Sequence, residues 1–230
     1  MTEPITEPNA ENQATGGDRG MARPPLLHEP APAFHARTTQ GERSLEDYRG
    51  RWLIFFAHPA DFTPVCASEF IAFSKAYDRF QELDCDLLGL SVDSLFAHLA
   101  WIANIKERFG VEVPFPIVED PSMAVARAYG MLHPGAHTSA TVRATFIIDP
   151  QGVIRAIIWY PMNVGRSVDE LLRLLTALQT SDKNGVFTPE GWRQGDPVLV
   201  PPPLLAANIK GAAPITGQTD WYFRLEAIHD

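Results

Sequence analysis

Unbroken apolar runs alternate along this chain with segments whose apolar residues recur every three or four positions. Residues 51–58 (RWLIFFAH) and 85–93 (CDLLGLSVD) are near-continuous apolar runs, as in strands buried on both faces. Between them, over residues 64–83, Phe70, Phe73, Tyr77 and Phe80 are spaced by three and four with charges between, which predicts one amphipathic helix. A second helix is expected from about Ser94 to Phe109, closed by Gly110. PFPIVED reads as a short strand. Asp120 and Pro121 then read as the cap and first residue of a third helix ending at Gly130. Residues 143–160 (RATFIIDPQGVIRAIIWY) divide at DPQG into a β-hairpin. Residues 167–178 combine a capping box, Ser167 with Glu170, and a leucine-rich face. The order β-α-β-α-β-α-β-β-α predicts an α/β fold with a mixed central sheet flanked by helices.

The two ends break this pattern. Residues 1–25 are polar, acidic and rich in Gly and Pro, the composition of a disordered tail. They lack the apolar centre of a secretory signal, and their four acidic residues argue against an organelle transit peptide. A second methionine, Met21, leaves open which of the two starts the chain. From about Gln179 the prolines at 189, 197 and 201–203 give an extended segment too poor in core to fold alone. It ends in DWYFRLEAIHD, where Trp221, Tyr222 and Phe223 call for something to pack against. The expected division is therefore a tail (1–25), a folded domain (26–180) and a C-terminal arm (181–230) that wraps its own domain or a partner subunit in a dimer.

Composition narrows the possibilities. A formal charge of −9 without a Lys/Arg cluster argues against nucleic acid and anionic membrane surfaces. No apolar run approaches a membrane span. Two cysteines without disulfide-framework spacing suit a reducing compartment, hence a cytoplasmic protein.

One cysteine lies in HPADFTPVC, residues 58–66. With Thr63 as N-cap and Pro64 as first helical residue, Cys66 falls at the third helical position. A capping box places Glu or Gln there, because free backbone N–H groups and the positive end of the helix dipole favour an acceptor. The same surroundings favour a thiolate, which is the nucleophilic form of cysteine. Helix position alone leaves a buried structural cysteine as an equal alternative.

The stretch from Pro59 to Cys66 resembles the PxxxTxxC signature of the peroxiredoxins, thiol peroxidases of thioredoxin-like fold in the alkyl hydroperoxide reductase/thiol-specific antioxidant superfamily. HPADFTPVC is similar to the 1-Cys subgroup in particular. The likeness continues, in order, through SVDSLFAHLAWI, VRATFIIDPQG, YPMNVGRSVDELLRLLTALQ and GWRQGDPVLVPP. This resemblance implies that Cys66 attacks the peroxide, Thr63 hydrogen-bonds it, Pro59 shields the pocket and Arg143 stabilises the thiolate and polarises the O–O bond. Supporting roles are implied for His58 beside the sulfur, for Glu69 as an orienting partner of Arg143, and for Arg166 as a second arginine near the site. It also implies a homodimer or a decameric ring.

Cys85 is the only other thiol, and the helix carrying Cys66 separates the two, so a resolving disulfide is not expected. The C-terminal segment has no cysteine either. An external thiol (glutathione, a small thiol or a redoxin) is thus the expected reductant, with no cofactor. His133 and His137 straddle Pro134-Gly135, which breaks helical spacing and argues against a metal site. The absence of GxSxG argues against a phospholipase activity, and the absence of CxxC against disulfide exchange. A holdase chaperone and a peroxide sensor are the competing functions.

Overall fold

The computed structural model of the chain describes residues 23–132, 139–205 and 220–228. Its strands are β1 (His35–Thr38), β2 (Gly41–Ser44), β3 (Trp52–Ala57), β4 (Cys85–Ser91), β5 (Ile117–Glu119), β6 (Arg143–Ile148), β7 (Ile154–Tyr160), β8 (Val198–Leu199) and β9 (Leu225–Glu226). The helices are α1 (Pro64–Lys75), α2 (Tyr77–Glu82), α3 (Leu95–Phe109), α4 (Ala124–Ala128) and α5 (Val168–Asn184). The first seven strands form one sheet in the order β2-β1-β5-β4-β3-β6-β7, and β8 and β9 pair separately. Neighbours β3–β4 and β4–β5 run parallel, whereas β3–β6 and β6–β7 run antiparallel. The sheet is therefore mixed, as expected.

Every residue of β3 and of β6 is buried, which is why both read as unbroken apolar runs. Alternate side chains of β3 enter opposite cores. Ile54 and Phe56 pack with Phe70, Phe73, Trp101, Ile105 and the leucines of α5, while Leu53 and Phe55 pack with Leu45, Tyr129, Met131 and Phe146. Gly89 of β4 lies beneath Phe70 of α1, and a Cβ there would stand 3.3 Å from the Phe70 ring. Glycine at this position lets α1 sit close on the sheet.

Several boundaries differ from the expectations. The helix read over 64–83 is two helices, because Ala76 leaves helical geometry between them. The apolar spacing of Phe73, Tyr77 and Phe80 runs through the break and so conceals it. The third helix begins at Ala124, not at Asp120-Pro121. Asp120 still caps it: its carboxylate accepts the Ala124 and Ala126 N–H groups at 2.9 and 2.7 Å across a turn in which Met123 has φ +59°. Helix α5 continues to Asn184 and closes on Gly185 at φ +63°. Only half of its expected capping box forms. The Ser167 hydroxyl accepts the Glu170 N–H, whereas the Glu170 carboxylate pairs with Arg173.

The β1–β2 hairpin and the β8–β9 pair were not foreseen. Beyond α5, Trp192 and Val198 bury against Ala177, while Trp221 and Tyr222 are largely exposed. Residues 1–22 of the expected tail, and His133 and His137, lie outside the described residues. No helix among the described residues is long and apolar enough to cross a membrane.

Candidate active site

Strand β3 delivers His58 and Pro59, both buried, to the end of the sheet where the chain must turn back into α1. The turn is made at Phe62, a non-glycine residue with φ +56°. Two hydrogen bonds hold it: the Asp61 N–H donates to Asp93 Oδ2 at 2.9 Å, and the Thr63 hydroxyl donates to the Ala60 carbonyl at 2.9 Å. Thr63 occupies the N-cap position, but its hydroxyl caps no helical N–H. Spending its proton on Ala60 leaves the oxygen lone pairs as acceptors. Cys66 follows as the third helical residue and is fully buried.

Arg143, the first residue of β6, points its guanidinium at the sulfur, with Nη1 3.4 Å from Cys66 Sγ. The same Nη1 donates to Glu69 Oε2 at 2.7 Å, and Nε donates to the Met162 carbonyl at 2.9 Å. Arg166 grips the other side of Glu69. Its Nε and Nη2 take Oε1 and Oε2 at 2.9 and 2.7 Å, and its backbone N–H adds a bond to Oε1 at 2.8 Å. Arg166 Nη1 is anchored on the Ala144 carbonyl and Thr145 hydroxyl. The paired bond expected between Glu69 and Arg143 is thus made with Arg166, and Arg143 donates a single bond to Glu69. Burial by itself would raise the Glu69 pKa, but the hydrogen bonds and charge of Arg166, helped by Arg143, hold it below the usual glutamate range. Two guanidinium cations face one carboxylate in a dry pocket. One carboxylate cannot balance both cations, and the Cys66 sulfur is the group that faces the Arg143 side of the pair.

His58 belongs to a second buried cluster. Its Nε2 lies 2.8 Å from Asp61 Oδ1, and the other Asp61 oxygen lies 2.7 Å from Nδ1 of His98 on α3. Nε2 of His98 meets the Val118 carbonyl at 3.2 Å. The His58 ring stacks on Trp101 and meets the edge of Phe70, and its buried Nδ1 has no hydrogen-bond partner among the described residues. Burial pushes the His58 pKa down against the pull of Asp61, so the ring is neutral near pH 7. Burial works in the opposite sense on Asp61, yet its two imidazole partners prevail and keep the carboxyl below its ordinary pKa. These three side chains offer one metal-ligand atom each within 4.8 Å of one another. Those inward atoms are already engaged in the hydrogen bonds among them. Asp61 and His98 were not singled out from sequence, although Asp61 lies inside the cysteine motif itself.

Cys85 stands apart. It opens β4 opposite Trp52, at the far end of β3 from the cysteine loop, and is buried as a free thiol. Burial drives its pKa far up, away from thiolate chemistry.

Residues 27–157 match the AhpC/TSA family, and residues 177–204 match the C-terminal domain of 1-Cys peroxiredoxin. The chain belongs to the AhpC/TSA family of peroxiredoxins. It is accordingly a thiol peroxidase, an oxidoreductase that consumes peroxide at the expense of thiol. A peroxiredoxin of Aquifex aeolicus is 51% identical over 210 residues, covering 86% of this chain and 95% of the relative. One from Archaeoglobus fulgidus is 46% identical over 214 residues, covering 89% and 99%. Among solved structures, the yeast mitochondrial 1-Cys peroxiredoxin superposes with a TM-score of 0.79 at 37% identity, over 88% of this chain and 99% of that one. A mutant of peroxiredoxin 6 of Arenicola marina gives 0.77 at 31% identity, over 88% and 97%. The mixed sheet and its helices are thus a peroxiredoxin's thioredoxin-like fold.

Proposed function

We propose that the chain reduces hydrogen peroxide and organic hydroperoxides through a Cys66 sulfenic acid that an external thiol recycles. The observation that carries this reading is the 3.4 Å approach of Arg143 Nη1 to Cys66 Sγ inside the Glu69–Arg166 network. The Cys66 thiolate attacks one peroxide oxygen, forming the S–O bond as the O–O bond breaks. The departing oxygen leaves with the electron pair and takes up a proton, giving an alcohol, or water from hydrogen peroxide. Thr63 Oγ accepts the peroxide O–H, and Arg143 donates toward the oxygens on which charge develops. Arg166 acts one step back by holding Glu69, which holds Arg143. Pro59 keeps the loop dry and offers no competing N–H. His58, with its orphaned Nδ1, is suited to accept the O–H of the sulfenic acid.

Recycling consumes two thiols: the first displaces water to form a mixed disulfide with Cys66, and the second releases the thiolate and a disulfide. Cys85 is supported as a bystander by its burial and raised pKa. The reductant class is glutathione, a small thiol or a redoxin; in the yeast mitochondrial 1-Cys peroxiredoxin the thiol is resolved via glutathione/thioredoxin systems. No cofactor is needed, because the thiol supplies the electrons.

The same reading takes the chain as a cytoplasmic homodimer or decamer in which residues 181–230 serve as the dimerisation arm. The bacterial and archaeal relatives support the location, and the exposed Trp159, Met162, Trp221 and Tyr222 support the assembly. Stopped-flow tryptophan fluorescence of the reduced protein with hydrogen peroxide, followed by mass spectrometry, tests the chemistry. Fast oxidation lost in Cys66→Ser and kept in Cys85→Ser, with sulfenic acid as product, is the expected result. Oxidation no faster than that of a free thiol, or a Cys66–Cys85 disulfide, would overturn it.

A further inference from the structure

A neutral imidazole has one donor and one acceptor nitrogen, and which is which depends on the partner held by the other. In this protein the partner of His58 is itself held. The Val118 carbonyl on β5 lies 3.2 Å from Nε2 of His98, His98 Nδ1 meets Asp61 Oδ2, and Asp61 Oδ1 meets His58 Nε2. All three side chains are at most 2% exposed, so water does not compete for these bonds. The Asp61 backbone is pinned as well, through its N–H to Asp93.

We infer that His98 and Asp61 are positioning residues that fix His58 as its Nε2–H tautomer and so keep the buried Nδ1 lone pair free to receive the sulfenic acid O–H. His98 acts by occupying Oδ2. Without it, the Asp61 carboxylate has one buried oxygen unpaired and is free to turn, and His58 loses the fixed acceptor that selects its tautomer. The line of contacts ties the cysteine loop to α3, whose Trp101 also stacks on the His58 ring, and to Val118 of β5. The tautomer itself is independent of catalysis, whereas its use at sulfur rests on the peroxidase reading above.

The test compares His98→Asn with His98→Leu. Asparagine places an N–H near the position of Nδ1 and can still serve Asp61, while leucine cannot; both lose the bond to Val118. Ring nitrogen NMR of the reduced, histidine-labelled protein reads the tautomer, and the rate of sulfenic acid capture by dimedone after one equivalent of peroxide reads the consequence. Wild type and His98→Asn are expected to show His58 as Nε2–H and slow capture. His98→Leu and Asp61→Asn are expected to lose the single tautomer and to raise capture, relative to the oxidation rate, at least fivefold. Equal behaviour of His98→Asn and His98→Leu would reduce His98 to packing and overturn the inference. So would an Nδ1–H tautomer in wild type, or a metal ion bound to the three side chains in place of the Nε2 proton. If wild type fails to react with peroxide, the peroxidase reading falls, and the tautomer arm still decides the positioning roles.

Discussion

Replacing Glu69 by glutamine tests whether the buried ion network positions the arginine at the sulfur. Glu69 accepts four N–H bonds of 2.7–2.9 Å with a side chain 1% exposed. Glutamine preserves shape but removes the charge and turns an N–H₂ toward a guanidinium. Removing one partner of a buried pair costs about 3–5 kcal/mol, and the surviving amide oxygen returns about 1. For a chain of this length, a net loss of about 2–4 kcal/mol lowers Tm by roughly 4–16 °C. The kinetic effect comes from Arg143, which loses one of the contacts that fix it near Sγ. Misplacement on the scale of 1 Å costs on the order of 10²-fold in rate.

Calorimetry and stopped-flow oxidation on the same preparation measure both effects. The sign with pH is fixed by the depressed Glu69 pKa: its stabilisation is complete above the ordinary glutamate value and is lost as pH falls through the folded one. The urea-midpoint gap between wild type and Glu69→Gln is therefore widest near neutrality and closes in acid, below about pH 4.3. A variant that melts with wild type and oxidises within twofold of it would refute the idea that Glu69 holds Arg143 in place.

Other substitutions separate chemistry from scaffold. Thr63→Val removes the lone pairs offered to the peroxide and the bond to Ala60, and is expected to slow oxidation by about 10²-fold while lowering Tm by only about 2–4 °C, measured by stopped flow and melting. Cys85→Ala removes a buried sulfur far from the loop; it should cost about 1 kcal/mol in chemical denaturation and leave peroxide turnover intact. His58 is buried neutral, so the unfolded chain takes up a proton there that the native state refuses. Its contribution is present above the ordinary histidine pKa and is lost as pH falls, so stability should decline from about pH 6.5 downward. Urea midpoints unchanged between pH 7 and 5 would show that His58 accepts a proton in place.

How far the site could be read from sequence depends on where each side chain's partners lie along the chain. Cys66, Thr63 and Pro59 stand out as candidates in the sequence because their relation is local, a turn and the first residues of one helix. The strands β3, β4 and β6 were found because burial on both faces leaves an unbroken apolar run. The break at Ala76 was invisible because the core on either side of it needs the same spacing of aromatics. The polar β1–β2 hairpin left no apolar signature. Arg143, Glu69 and Arg166 could be named through resemblance, but their contacts could not, since Glu69 meets partners 74 and 97 residues away. A carboxylate facing two arginines chooses between bidentate and single bonds by strand and loop placement, which residue identity does not encode. His98 marks the limit. On α3 it is one apolar-face position among several, between Leu95 and Trp101, and helical periodicity assigns it to the core, where it lies. What periodicity cannot register is that Asp61, 37 residues earlier, needs a donor there. A buried histidine is explained only when the group that satisfies each of its nitrogens is known, and for His58 the group proposed at Nδ1 is the sulfenic acid.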